Sequence, residues 1–244
     1  MWRTSSAIFI AIIFSGGLGC NKRASEPPES VASPTAEQAE LSFEAQLSQV
    51  LRDEVIAIRL TQSKITGDQL EQLSAVSDKL LELQLDAGVI EDAALESLTQ
   101  LTALEHLRLR ESPITDALIV KLDPIKLPNL RIINLPQSNL TAAGLAHLAG
   151  FPKLVQLRLS ATQLEDRAAE VLATFPTLRS LHLIGPKFTD AALDQLAKAP
   201  QLSSLYIDDC HLSDAAWERL FKAKPNLHVH IDQLHHDRDP NVDH

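Results

Sequence analysis

Five histidines, His228, His230, His235, His236 and His244, crowd the last 17 residues of the chain, among Asp232, Asp237, Asp239 and Asp243. Imidazole and carboxylate together suit a divalent ion such as zinc or nickel. Side chains alternate along a strand, so a strand through this stretch would put His228, His230 and Asp232 on one face as candidate metal ligands. The plainer reading is a solvated polar tail, with no metal and no other cofactor. Basic chemistry appears further upstream, in His106, Arg108, Arg110, Arg158 and His182, although the chain carries a formal net charge of −10. Guanidinium and tyrosine groups on a rigid surface are good anchors for a binding partner. The acidic balance argues against a general nucleic-acid binder, which needs a basic face. The chain holds no G-x-S-x-G, no H-E-x-x-H, no phosphate-binding glycine loop and no C-x-x-C pair, so a non-catalytic protein is expected.

What positions these residues is a repeat. Six copies of L-x-x-L-x-L start at Leu80, Leu104, Leu130, Leu154, Leu178 and Leu202, in steps of 24, 26, 24, 24 and 24 residues. A fixed period of this size marks a solenoid. Val55-x-x-Ile58-x-Leu60 is a weaker first copy, and Val229 and Ile231 continue the period after the last. Between copies run phrases such as ITGDQLEQL from Ile65 and FTDAALDQL from Phe188, apolar at the first, sixth and ninth positions. That spacing suits a short helix packed on one face. Thr66, Thr115, Thr141, Thr189 and Ser213 are expected N-caps. Asp92, Asp116, Asp166, Asp190 and Asp214 follow in the first turn, where the helix dipole favours negative charge. Pro128, Pro152, Pro176, Pro200 and Pro225 then stop each helix. The third unit has two additional residues within Asp123-Pro-Ile-Lys-Leu-Pro, which reads as a loop insertion on the helical side.

In L-x-x-L-x-L the fourth and sixth positions face the core, leaving the third, fifth and seventh on the other face of the sheet. The fifth position forms a column of Arg59, Gln84, Arg108, Asn134, Arg158, His182, Tyr206 and His230, without one aliphatic residue. Its flanking columns contain Glu82, His106 and His228 on one side and Asp86, Arg110 and Asp208 on the other. The partner-binding surface is therefore expected at Arg59, Gln84, His106, Arg108, Arg110, Asn134, Arg158, His182 and Tyr206. Simple solvation of a polar sheet face is the alternative. Ser63, Gly88, Ser112, Ser138, Thr162, Pro186 and Cys210 share one small-residue position after the strands, which makes Cys210 a buried ladder residue.

The 24-residue step and the I-T-D-A-A-L-x-x-L type of phrase resemble the leucine-rich repeat family, especially ribonuclease-inhibitor-like arrays in bacterial exported proteins. The resemblance covers residues 55–232. It implies an α/β fold: a curved solenoid, or horseshoe, with about eight parallel strands on the concave face and short helices on the convex face. It also implies protein binding through the concave face. An end repeat needs its apolar face covered. Residues 35–54, with apolar positions at Leu41, Phe43, Leu47, Val50 and Leu51, are expected to supply that N-terminal capping helix, starting from a capping box at Thr35–Gln38.

The N-terminus reads as an address. Arg3, the apolar run Ala7–Phe14 and the small residues before Cys20 make residues 1–19 a signal peptide. The sequence around Cys20 looks like a bacterial lipoprotein signal, which implies lipidation of Cys20. Gly17-Leu18-Gly19 also fits ordinary cleavage after Gly19, and an uncleaved anchor is a third possibility. Residues 20–34 then form a disordered tether, and residues 233–244 a flexible His/Asp-rich tail. The reading is a monomer exported to the cell envelope and lipid-anchored to a bacterial membrane. It would bind an acidic protein segment or a glycan, and no nucleic acid. A structural envelope component and a metal-binding lipoprotein using the C-terminal histidines are the alternatives.

Overall fold

The computed structural model describes residues 40–235, apart from 89 and 91. The signal peptide, Cys20, the tether, the Thr35 capping box and the tail histidines His236 and His244 lie outside the described residues. Helix α1 (Phe43–Leu51) leads into strand β1 (Ala57–Leu60). Helices and strands then alternate as α2 (Gly67–Gln72), β2 (Glu82–Leu85), α3 (Asp92–Leu98), β3 (His106–Leu109), α4 (Asp116–Ile119) and β4 (Ile132–Leu135). The alternation continues through α5 (Ala142–Leu148), β5 (Gln156–Ser160), α6 (Asp166–Leu172), β6 (Ser180–Ile184), α7 (Asp190–Leu196) and β7 (Ser204–Asp208). It ends with α8 (Asp214–Ala223), β8 (His228–Ile231) and a two-residue β9 (Leu234–His235). The strands form one sheet in chain order, with β1 to β8 all parallel.

The leucines of the repeat make the core. Ile58, Leu83, Leu107, Ile133, Leu157, Leu181, Leu205 and Val229 are each fully buried, one per strand. A helix-side ladder of Leu101, Leu127, Phe151, Phe175 and Ala199 runs beside them, again one per unit and all buried. Cys210 is buried as expected of its ladder position, and burial pushes its thiol pKa up. Two other members of that ladder bond loop backbone. Ser112 Oγ accepts from Ile90 N at 3.0 Å, and Ser138 Oγ donates to Ser160 O at 3.2 Å.

Helix starts follow the expected chemistry and add to it. Thr66, Thr141, Thr189 and Ser213 each accept a backbone N–H at their N-cap. Thr115 makes no side-chain cap bond to its single-turn helix, which the inserted turn at Asp123–Leu127 shortens. The aspartates do more than answer a dipole. Asp116 accepts the backbone N–H of Thr141 at 2.9 Å, Asp166 that of Thr189 at 2.8 Å and Asp190 that of Ser213 at 2.9 Å, each taking the hydroxyl as well. One helix start thus holds the next. Gly144 N also donates to Asp116, and a Cβ on Gly144 would overlap that carboxylate.

Two boundaries differ from expectation. The first helix begins at Phe43, capped by Ser42, while residues 40–42 are non-helical. Their place is set by the edge of the sheet. The Glu40 carboxylate gathers the N–H groups of Thr61, Gln62 and Ser63, and burial of that carboxylate is outweighed by these bonds, so its pKa is held low. Gln46 then imitates a neighbouring strand. Its amide donates to Arg59 O at 2.9 Å and accepts from Arg59 N at 2.7 Å, closing the outer edge of β1. At the far end the tail does not begin as coil. Asp232 and Gln233 adopt φ of 49° and 66°, the two left-handed positions of a tight hairpin turn, and β9 pairs antiparallel with β8. The sheet therefore has nine strands.

Candidate functional site

The face of the sheet turned away from the helices is lined by the alternate, half-buried positions of each strand. Register aligns Arg59, Gln84, Arg108, Asn134, Arg158, His182, Tyr206 and His230 in one unbroken column. The column divides into three chemical zones.

At the N-terminal end the arginines are already engaged. Arg59 forms a bidentate pair with Glu82, both contacts 2.7 Å, and Gln84 donates to the same carboxylate. Arg108 pairs with the buried Asp86 through Nε at 2.8 Å and Nη2 at 2.7 Å, with Arg110 3.9 Å from that carboxylate. Bidentate guanidinium–carboxylate pairs fix orientation as well as charge. His106 lies 3.9 Å from Glu82. Burial lowers its pKa, which the Glu82 charge opposes and the Arg108 and Arg59 charges reinforce. Burial alone would raise Glu82, but the hydrogen bond and charge of Arg59 hold its carboxyl below the ordinary value.

These shifts fix a sign. His106 binds a proton less readily folded than unfolded, so its contribution is present above pH 6.5 and is lost as pH falls below that unfolded value. Glu82 adds a second loss at lower pH, below its unfolded value of 4.5. The expected result is a melting temperature that declines between pH 7 and pH 5. In His106→Gln the upper part of that decline flattens. An identical pH profile in thermal melts of the two proteins would refute the assignment.

The C-terminal end is an aromatic row. His182 Nε2 lies 2.7 Å from Asp208 Oδ2, and its ring is 5.5 Å from that of Tyr206. Tyr206 stacks on His230 at 4.7 Å and meets His228 edge-on at 6.0 Å. His228 and His230 approach Nε2 to Nε2 at 2.8 Å. Asp232, the third expected metal ligand, does not join them. Its carboxylate accepts from Asp209 N at 2.7 Å, because the hairpin turn directs it along the strand ends. Among the described residues no cluster of three or more His, Cys, Asp or Glu gathers as a metal cage.

Between these ends, on β4 and β5, lie Asn134 Oδ1 and Arg158 Nε, both buried and, among the described residues, without a hydrogen bond; the second carboxylate oxygen of Asp208, on β7, is likewise buried and unbonded. Ile132, Pro136 and Ser160 lie partly covered around them. The acids that neutralise the arginines were visible in the flanking columns. Their pairing with the neighbouring strand shows only at offsets of 22 residues for Asp86–Arg108, 23 for Arg59–Glu82 and 26 for His182–Asp208.

No family model and no curated protein matches the chain. Solved structures do. Internalin C2 from Listeria monocytogenes is 24% identical, with 73% of this chain and 71% of that one covered at a TM-score of 0.52. A leucine-rich-repeat protein of Leptospira interrogans is 20% identical over 72% of this chain and 49% of its own, with a TM-score of 0.48. The repeat pattern, the eight parallel strands with their intervening helices, and the likeness to internalin C2 together identify the fold as a leucine-rich-repeat solenoid.

Proposed function

We propose that the chain is a non-catalytic protein-binding module, tethered to a bacterial membrane through a lipidated Cys20, and that its open sheet face takes an acidic protein segment centred on Arg158. The observation that carries the reading is the adjacent pair of buried atoms Asn134 Oδ1 and Arg158 Nε, unbonded among the described residues, on neighbouring strands in the middle of a row whose arginines at the N-terminal end are already paired with carboxylates. A buried polar group left unbonded costs about 1–3 kcal/mol. A partner carboxylate that draws the Arg158 guanidinium outward, and a donor that does the same for the Asn134 amide, recover that cost on binding. The flanking zones supply shape and rigidity, since Arg59 and Arg108 are committed to Glu82 and Asp86.

Crosslinking in the native envelope, followed by recovery of the tagged protein, tests this reading. Arg158→Glu is expected to reduce partner recovery at least tenfold. Arg59→Gln, whose charge is already spent within the chain, should change it less than twofold. Undiminished recovery with Arg158→Glu sinks the proposal. Cys20→Ser should release the protein from the membrane fraction without altering its affinity for the captured partner.

A further inference from the structure

We propose that His228 and His230 form a copper(II) site, with both imidazoles binding through Nε2 at adjacent corners of a square-planar ion. The two residues are i and i+2 on β8, so both rings project from the same sheet face. Their Nε2 atoms lie 2.8 Å apart. Imidazole nitrogens bind such metals at about 2.0–2.1 Å. At that bond length a right angle at the metal puts two nitrogens about 2.8–3.0 Å apart, whereas a tetrahedral angle needs about 3.3–3.4 Å. The observed separation already matches the adjacent corners of a tetragonal ion, whereas tetrahedral zinc requires the two rings to part by about 0.5 Å. Copper(II) favours that geometry and stands at the top of the affinity order for nitrogen ligands.

The rings are held in place before any metal arrives. His230 stacks on Tyr206 with ring centroids 4.7 Å apart and an interplanar angle of 26°. Tyr206 is itself packed against His182 on the next strand. The hairpin to β9 closes the outer side of β8 and puts His235 opposite His230 in register. In the metal-free chain the 2.8 Å contact serves as an N–H···N hydrogen bond, in which one Nε2 carries a proton. Binding needs a lone pair on both Nε2 atoms, so that proton moves to Nδ1 of the same ring or leaves to solvent. Among the described residues no third His, Cys, Asp or Glu joins the two imidazoles. The site differs from the three-ligand zinc or nickel arrangement with Asp232, whose carboxylate is turned to Asp209. It is also separate from the Arg158 zone, so either can fail without the other.

Titration of the purified full chain with copper(II), read by calorimetry and by electron paramagnetic resonance, tests the site. The expected result is one equivalent bound with a dissociation constant on the order of micromolar. The spectrum should be axial, with hyperfine structure from two imidazole nitrogens. His228→Gln and His230→Gln should each weaken binding at least tenfold, while His211→Gln leaves it unchanged. Zinc should bind more weakly than copper. The wild-type spectrum stands whether or not a variant folds: a signal lacking two coordinated imidazoles overturns the site. So does full copper affinity in both strand variants, or copper binding lost only in His236→Ala/His244→Ala.

Discussion

Phe151→Ala is expected to lower the unfolding free energy by about 3–5 kcal/mol, the range for deleting a fully buried aromatic ring. Phe151 is 0% exposed and occupies the middle rung of the ladder Leu101, Leu127, Phe151, Phe175 and Ala199. Its ring packs T-shaped against that of His147, which in turn lies 2.7 Å from Leu122 O in the preceding unit. A stacked array gives the resulting void little means of closing. Units above and below are fixed by continuous strand pairing, so the neighbours cannot slide inward without breaking the ladder on both sides. The alanine at position 199 shows that the rung tolerates a small residue where the adjoining packing has been built for one. Urea unfolding of Phe151→Ala checks the prediction, and a loss below about 1 kcal/mol would show that the array can repack around the site.

Gln46→Leu is expected to cost about 2–6 kcal/mol and to make the protein self-associate. The volume change is modest, and the polar loss is not. Gln46 is buried, and its amide satisfies both backbone groups of Arg59 on the outer edge of β1. Leucine leaves that N–H and that C=O without partners, at about 1–3 kcal/mol each. It also uncovers a strand edge, and an exposed edge is a template for another chain. Denaturant unfolding should show the destabilisation, and sedimentation velocity should show mass rising with concentration. A variant as stable as the parent and monomeric at high concentration would mean that Glu40 and α1 close the edge without the Gln46 amide.

The repeat was fully readable because each position in it faces one environment. Leucines at fixed positions of a strand can serve only one face, so the core and the polar column followed from spacing, while the parallel order of the strands was implied by the family resemblance. The site was legible as a column and not as a set of charges. Arg59 and Arg108 looked available until strand adjacency set Glu82 and Asp86 beside them, and that adjacency is an offset from the period rather than the period itself. The helix-start aspartates were legible in part. Asp116, Asp166 and Asp190 fit a helix dipole within their own phrase, and only stacked units bring the next Thr or Ser to them. The last hairpin carried a weak signal because Asp232 and Gln233 take left-handed backbone without glycine. The start of α1 was not legible because its cap, Ser42, has alanine rather than Glu or Gln three residues later and so shows no capping-box pattern.

The aspartate contacts between helix starts have a direction. In each one the acceptor comes first in the chain, ahead of its donor by 25 residues for Asp116 and 23 for Asp166 and Asp190. The parallel strands are ordered in the same sense, each laid against the one before it. A chain emerging from its N-terminus, from the ribosome or across a membrane, therefore brings each new Thr or Ser to a carboxylate already made. Neither the cap nor the strand has to wait for a later part of the chain. The order in which these contacts form can follow the order of synthesis.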